Sequence, residues 1–236
     1  MKNLVFFGDS HTARSGFFSL FTKTKNHLAG RSGAGPYKIM EDVYDFICDS
    51  DKPFHNEVKD TLLVIQYSYL SRLYLPIGEN ELRFDGNFHS PANEYCKFGL
   101  EFTHKTLNGF YHYFIMNFYD EEVYLNKFMK DVEIFNSFIE KKGFRYINYL
   151  WDSTCVVETL LERKDTILYD KLKELNFIEF EPRQFLFGRI AEEKKLRICD
   201  CSDINDQHLS PYGNGVLKEY LEKEIDRLPD IKLKLI

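Results

Sequence analysis

Two short, continuous apolar runs constrain the fold of this chain more than any other feature of its sequence. Residues 4–7 form the first run, which is stopped by Gly8, and Thr61–Tyr67 forms the second, which follows a polar segment. Both runs are too short for a buried helix, and continuous rather than alternating apolar residues are typical of a strand that is covered on both faces. The two runs therefore predict strands of a parallel sheet.

Segments with helical periodicity alternate with these strands. Apolar residues recur at helical spacing in residues 39–47, 119–142 and 215–228. Gly143 stands where the cap at the carboxyl end of the second of these helices belongs. The apolar stretch at residues 144–150 then predicts a further strand.

Weaker patterns of apolar residues predict the remaining helices and strands. The helices are expected at residues 12–21 and 159–175, and a short strand at residues 196–199. Strands that alternate with helices pack as a sheet with helices on both faces. We therefore predict an α/β fold, a three-layer α/β/α sandwich with a mostly parallel sheet, whose functional site lies beyond the carboxyl ends of the strands.

The chain has the length of one domain. Its 236 residues, of which 44% are hydrophobic, predict a single domain over residues 1–236. The 22 Phe and 15 Tyr fit either core packing or a site lined with rings. Residues 73–115 are the least regular part, so we expect there an excursion from the core that forms a lid or one wall of the site.

Charge and composition exclude several classes of function. The net charge is −6 and no long basic run is present, which argues against a nucleic-acid partner. No segment approaches the roughly 20 apolar residues of a membrane span, and the run at residues 4–7 is too short for a signal peptide. The 5 cysteines lack framework spacing, so we expect free thiols, a cytoplasmic location and no metal site.

Two polar segments at predicted strand ends carry residues suited to catalysis. Ser10 follows the first strand and opens a predicted helix, where its backbone N–H favours an anion. His208 lies in a polar loop before the last helix, and Asp206 can orient its ring. A serine hydroxyl needs such a base to become a nucleophile. The alternative interpretations are a helix N-cap for Ser10 and a loop histidine beside an Asx-turn for His208.

These residues resemble the first and last motif blocks of the SGNH/GDSL hydrolase family. Gly8-Asp9-Ser10 matches the first block and Asp206-x-His208 the last, near the two ends of the chain. The resemblance implies a flavodoxin-like α/β/α fold and esterase, lipase, thioesterase or carbohydrate deacetylase activity, without a metal or an organic cofactor. It also implies that Ser10 is the nucleophile, His208 the base and Asp206 the residue that orients the base.

The family's two middle blocks supply oxyanion donors, and the chain matches only one of them. Gly33 is the best match to the second block, with Gly35 next, so the resemblance implies that the backbone N–H groups of Ser10 and Gly33 hold the oxyanion. The third block is usually Gly-x-Asn-Asp. No Asn follows Gln66 in the corresponding segment, and Leu70 stands at the position of that Asn.

The missing Asn leaves one donor to be supplied by another residue. Loss of one oxyanion donor lowers the rate by roughly 100- to 1000-fold, so either another side chain supplies the donor, or the enzyme is slow, or the chain is no longer an enzyme. We predict that the Ser68 hydroxyl donates there, with Ser71 as the alternative, and that His11 contacts the substrate. The last block also departs from the commoner D-x-x-H spacing, in which Asn205 would be the acid. Asp206 is preferred because it carries a charge.

The sequence thus predicts a serine hydrolase for a small acyl ester, such as an O-acetylated carbohydrate, with a small molecule or glycan ester as partner and no cofactor. Two alternatives stay open. An acyltransferase would use the same acyl-enzyme with a sugar hydroxyl in place of water, and a catalytically silent binding protein would keep the fold. The missing Asn favours the silent protein, whereas Ser10, Asp206 and His208 argue against it. The oligomeric state does not follow from the sequence.

Overall fold

The structure, a computed structural model, describes the central sheet and the helices that flank it. The predicted strand at residues 196–199 and most of the predicted helix at residues 159–175 lie outside the described residues. The described residues are 2–9, 12, 17–30, 34–67, 70, 73–77, 80–84, 113, 116–150, 170–171, 174–175, 177 and 211–227.

Strands and helices alternate along this part of the chain. The strands are β1 (Asn3–Phe7), β2 (Lys25–Leu28), β3 (Thr61–Tyr67), β4 (Leu73–Ile77), β5 (Asn80–Phe84) and β6 (Arg145–Leu150). The α-helices are α1 (Pro36–Cys48), α2 (Glu121–Lys141) and α3 (Pro211–Arg227), and two 3₁₀ helices span Phe17–Leu20 and His55–Asp60. Within these ranges no helix combines the length and apolar character that a membrane crossing requires.

Four of the strands form one parallel sheet in the order β2-β1-β3-β6. In its register Phe7 pairs with Ile65, and Gln66 pairs with Tyr149. Every residue of β1 and β3 is buried, as their continuous apolar runs predict. The predicted parallel sheet is therefore confirmed.

Helices cover both faces of this sheet, which confirms the three-layer sandwich. One face packs against α1 and α2 through a core cluster that includes Val5, Leu63, Ile65, Val43, Phe46, Phe128 and Val132. The other face packs against α3 and Phe18 of the first 3₁₀ helix, through a cluster that includes Leu4, Phe6, Val64, Tyr149, Leu217, Leu221 and Ile225. Successive residues of β1 and β3 belong alternately to these two core clusters, because side chains of a strand point alternately to the two faces of its sheet. Both strands therefore pack against the helices on both faces.

The long helix α2 has the ends that its sequence predicts. Asp120 is the N-cap, and its side chain accepts a hydrogen bond of 2.9 Å from the backbone N–H of Val123. Gly143 follows the helix with φ of 82°, a conformation that glycine adopts without steric cost. The predicted helix at residues 119–142 is thus confirmed.

The beginning of the predicted excursion at residues 73–115 is regular. β4 and β5 form an antiparallel pair outside the main sheet, in which Leu73 pairs with Phe84 and Ile77 with Asn80. Pro76, which argues against a central strand, is compatible with a two-stranded ribbon because each strand has an unpaired edge. The remainder, residues 85–115, lies almost entirely outside the described residues.

The structure describes both ends of the predicted helix at residues 12–21. Thr12 is α-helical, Phe17–Leu20 forms a 3₁₀ helix, and Phe21 follows it. Phe18 and Phe21 are three residues apart, which matches the three residues per turn of a 3₁₀ helix. Their rings lie 6.3 and 5.3 Å from the ring of Phe6, so both anchor this segment on β1.

Candidate functional site

The turn after β1 is the centre of the candidate site. Gly8 and Asp9 follow the last residue of β1, and Thr12 is the next described residue of the turn. Ser10 and His11, which stand between Asp9 and Thr12, lie outside the described residues. The structure therefore describes both flanks of the predicted nucleophile.

A single side chain of β3 contacts both flanks. The Nε2 amide of Gln66 donates a hydrogen bond of 2.8 Å to Oδ1 of Asp9. The Thr12 hydroxyl donates a hydrogen bond to Oε1 of the same glutamine. Asp9 and Gln66 are 0% exposed and Thr12 is 1% exposed, so these bonds form away from water. The amide of Gln66 thus links the residue before Ser10 to the residue two positions after it.

Tyr149 of β6 extends this set of contacts to a third strand. It pairs with Gln66 in the sheet register, and its side chain hydrogen bonds to that of Thr12. Burial raises the pKa of the Tyr149 hydroxyl, an effect that the bond from Thr12 opposes and the charge of Asp9 reinforces. The phenol therefore stays protonated and remains a hydrogen-bond donor throughout the physiological pH range. We call Asp9, Thr12, Gln66 and Tyr149 the polar network.

Two glycines let the turn pack closely on the polar network. A Cβ atom on Gly8 would lie 2.6 Å from Oε1 and 2.9 Å from Cβ of Gln66, closer than non-bonded atoms approach. A Cβ atom on Gly30 would lie 3.1 Å from the carbonyl oxygen of Gly8 and 3.2 Å from Cγ2 of Thr12. A side chain at the glycine of the Gly-Asp-Ser motif would therefore displace Thr12 or Gln66.

The predicted catalytic and oxyanion residues are not brought together by the described part of the structure. Gly35, the second choice for the backbone oxyanion donor, is described as the buried N-cap of α1. The predicted residues that lie outside the described ranges are Ser10, His11, Gly33, Ser68, Asp206 and His208. Their roles remain predictions.

The last residue of β3, Tyr67, and Leu70 after it both direct their side chains into the core. The Tyr67 ring lies 5.0 Å from the ring of Phe128, and burial raises the pKa of its hydroxyl. Leu70, which stands at the position of the family's Asn, is 7% exposed and belongs to the core cluster shared with α1 and α2. Neither residue is placed to replace the oxyanion Asn.

The sequence analysis did not identify Gln66 or Tyr149 as parts of the site. One signal for Gln66 is present in the sequence, because it is a polar residue at the end of the otherwise apolar run of β3. A fully buried amide needs hydrogen-bond partners, so such a position indicates a nearby polar group. Tyr149 has no comparable signal, since tyrosine is frequent in strands. Its role follows only from its register with Gln66.

Comparisons with known proteins add one structural likeness. No family model matches the chain, and no curated protein matches it. The chain is similar to the crystal structure of a member of the lipolytic protein G-D-S-L family from Veillonella parvula. The two share 9% sequence identity with a TM-score of 0.45, and the likeness covers 97% of this chain and 100% of that chain. The α/β class of the chain rests on its own sheet order and layers.

Proposed function

We propose that the chain is a serine ester hydrolase of the SGNH/GDSL type. Ser10 is the nucleophile, His208 the general base, and Asp206 the residue that orients His208. The observation that carries this proposal is the placement of Gly8-Asp9-Ser10. The motif directly follows an interior strand of a parallel sheet, and the residues on both sides of Ser10 bind the same buried amide, that of Gln66.

The position of β1 supports this assignment. β1 lies between β2 and β3, and Ser10 comes three residues after Phe7, the end of the strand. Ligands of open α/β sheets bind beyond the carboxyl ends of the strands. A fixed serine at that edge meets the geometric requirement of a nucleophile, because attack needs a hydroxyl in a defined place.

The position of α3 supports the role of His208. His208 precedes the first residue of α3, Pro211, by three positions. α3 packs through Leu217 on the sheet face that also carries Tyr149 of the polar network. The described helix thus belongs to the layer on this face, and we propose that His208 approaches Ser10 from it.

The proposed reaction needs only side chains and backbone groups of the chain. The Ser10 oxygen attacks the acyl carbonyl while His208 takes the hydroxyl proton. The backbone N–H groups of Ser10 and Gly33, with the Ser68 hydroxyl, donate to the oxyanion. His208 then protonates the leaving alcohol, and a water molecule deprotonated by His208 hydrolyses the acyl-enzyme and restores Ser10.

We propose a small acyl group, such as the acetyl group of an O-acetylated carbohydrate, as the substrate. The hairpin of β4 and β5 begins six residues after the end of β3. We propose that the region of residues 73–115 forms a wall of the site and limits the acyl group, while His11 contacts the substrate. If deletion of the hairpin left acyl preference and rate unchanged, this part of the proposal would be wrong.

Hydrolysis of p-nitrophenyl esters of increasing acyl length tests the proposed function. We expect the acetate ester to be preferred and Ser10→Ala and His208→Ala to lose activity by about 10⁴-fold or more. Ser137→Ala is the matched control, because this serine is exposed on α2 and its hydroxyl donates to the Glu133 carbonyl at 3.0 Å, its one bond among the described residues. Full activity in Ser10→Ala would contradict the proposal. Acetylation of an added glycan acceptor would identify the enzyme as a transferase.

A further inference from the structure

We propose that Gln66 is a positioning residue that fixes Ser10 by binding the turn on both of its sides. This inference rests on the proposed function, since it assumes that Ser10 is the nucleophile. It adds a role for a residue outside the motif blocks. Gln66 does not touch the reacting atoms in this proposal. It acts through Asp9 and Thr12, its two hydrogen-bond partners.

The chemistry of the two partners sets the orientation of the Gln66 amide. An ionised carboxylate only accepts hydrogen bonds, so the amide nitrogen must face Asp9. The oxygen then faces Thr12, whose hydroxyl donates to it. Glutamate at this position would place a second carboxylate against Asp9, and methionine would offer neither a donor nor an acceptor of comparable strength. A primary amide satisfies both sides of the turn at once.

The polar network has a fixed direction that ends on the residue before Ser10. A threonine hydroxyl has one proton, and Thr12 gives that proton to Gln66. Hydrogen bonds thus run from Thr12 to Gln66 and from Gln66 to Asp9. Bonds in such a chain polarise and strengthen one another.

Burial restricts the movement of the four residues of the polar network. Tyr149 is 1% exposed and the other three members of the network are no more exposed than that. Water cannot replace a lost partner at such a position, so each broken bond leaves an unsatisfied buried group. The turn is therefore confined to the geometry in which all of these bonds form. Displacement of a reacting group by about 1 Å costs roughly 100-fold in rate, so confinement of this kind matters for a nucleophile.

Asn148 provides a structural comparison with no connection to Ser10. It is the neighbour of Tyr149 in β6, is 0% exposed, and its Nδ2 donates to Oδ1 of Asn136 at 3.1 Å and to the carbonyl of Leu175 at 3.0 Å. These partners belong to the layer of α2, on the opposite face of the sheet from Tyr149. Replacement of Asn148 removes buried hydrogen bonds, as replacement of Gln66 does, but leaves the turn after β1 untouched.

The test measures Ser10 reactivity in matched variants of the full chain. The probe is a fluorophosphonate, and kcat and KM for p-nitrophenyl acetate are measured in parallel. We expect Gln66→Met to slow labelling and to lower kcat by about 10-fold or more, with KM changed less than about 2-fold. Asn148→Leu should lose stability and still be labelled at the wild-type rate.

Substitutions of Thr12 provide a milder test in case Gln66→Met does not fold. Thr12→Val removes the hydroxyl at nearly constant shape, and we expect it to slow labelling about 10-fold. Thr12→Ser keeps the hydroxyl and should restore the rate to within about 3-fold of wild type. Labelling of Thr12→Val at the rate of Thr12→Ser would overturn the positioning role, as would equal slowing in Asn148→Leu. If wild type itself is not labelled, the proposed function fails and the positioning role fails with it.

Discussion

The Nε2 atom of Gln66 lies 2.8 Å from Oδ1 of Asp9, and this contact joins the end of β3 to the residue that precedes Ser10. The oxygen of the same amide accepts from Thr12 on the other side of the turn. The turn after β1 is thereby bonded to β3, and the contact of Thr12 with Tyr149 links it to β6 as well.

Gly8→Ala should disrupt the polar network. The new Cβ atom would lie 2.6 Å from Oε1 of Gln66, so either the turn or the amide must move. We expect the free energy of unfolding to fall by about 1–3 kcal/mol, and fluorophosphonate labelling to slow. Gly215→Ala is the control, because a Cβ atom there meets nothing within 4 Å and alanine favours the helix. Labelling of Gly8→Ala at the wild-type rate would show that the turn tolerates the added methyl group.

Tyr149→Phe and Tyr67→Phe should differ in their effect on stability. Both hydroxyls are buried, but that of Tyr67 has no hydrogen-bond partner among the described residues, whereas that of Tyr149 bonds to Thr12. We expect Tyr149→Phe to lower the free energy of unfolding by about 1–2 kcal/mol, and Tyr67→Phe to leave it unchanged or raise it. Urea denaturation of the two variants measures this. The opposite order would contradict the hydrogen-bond assignment.

Leu70→Asn, which restores the residue type of the family at this position, should not restore an oxyanion donor. Leu70 is packed in the core against α1 and α2, so the amide would be buried among apolar side chains. We expect a loss of about 2–4 kcal/mol in the free energy of unfolding and no rise in kcat. Leu70→Met, which keeps an apolar side chain, should cost less than about 1.5 kcal/mol. A higher kcat in Leu70→Asn would place this side chain at the oxyanion instead.

Ser68→Ala tests the proposed third oxyanion donor. The neighbours Gln66 and Tyr67 are directed to Asp9 and to the core, so Ser68 is the first polar candidate that follows β3 in the sequence. We expect kcat to fall by roughly 10-fold with little change in KM, because the contact forms mainly in the transition state. Ser71→Ala serves as the comparison. If only Ser71→Ala lowered kcat, that serine would be the donor.

The parts of the fold that follow from the sequence are those with strong, continuous patterns. The run Thr61–Tyr67 predicts β3 with the bounds that the structure has, because all of its residues are buried. β2 (Lys25–Leu28) was not predicted from the sequence. It lies at the edge of the sheet, where its residues are exposed or half-buried, and it contains no apolar run. The first 3₁₀ helix lies within the predicted helix at residues 12–21, and the sequence does not give its type because phenylalanines three residues apart fit both helical periods.

The residues of the candidate site also differ in whether the sequence alone points to them. The proposal of Ser10 as the nucleophile comes from a local motif, a serine that closely follows a strand. Gln66 and Asp9 are 57 positions apart, and only the register of β1 against β3 brings them together. The sequence contains the buried polar residue but not the identity of its partner. Long-range pairing of this kind therefore needs the sheet to be known first.

Identification of the residue that reacts with a fluorophosphonate tests the proposed serine hydrolase most directly. Wild type and Ser10→Ala are treated with the probe, digested and analysed by mass spectrometry, with Ser137→Ala as the control for an exposed serine. We predict one adduct per chain on Ser10 in wild type and in Ser137→Ala, no adduct in Ser10→Ala, and slowed labelling in His208→Ala. An adduct on a different residue, or no adduct in wild type under conditions where the protein is folded, would contradict the assignment of Ser10 as the nucleophile.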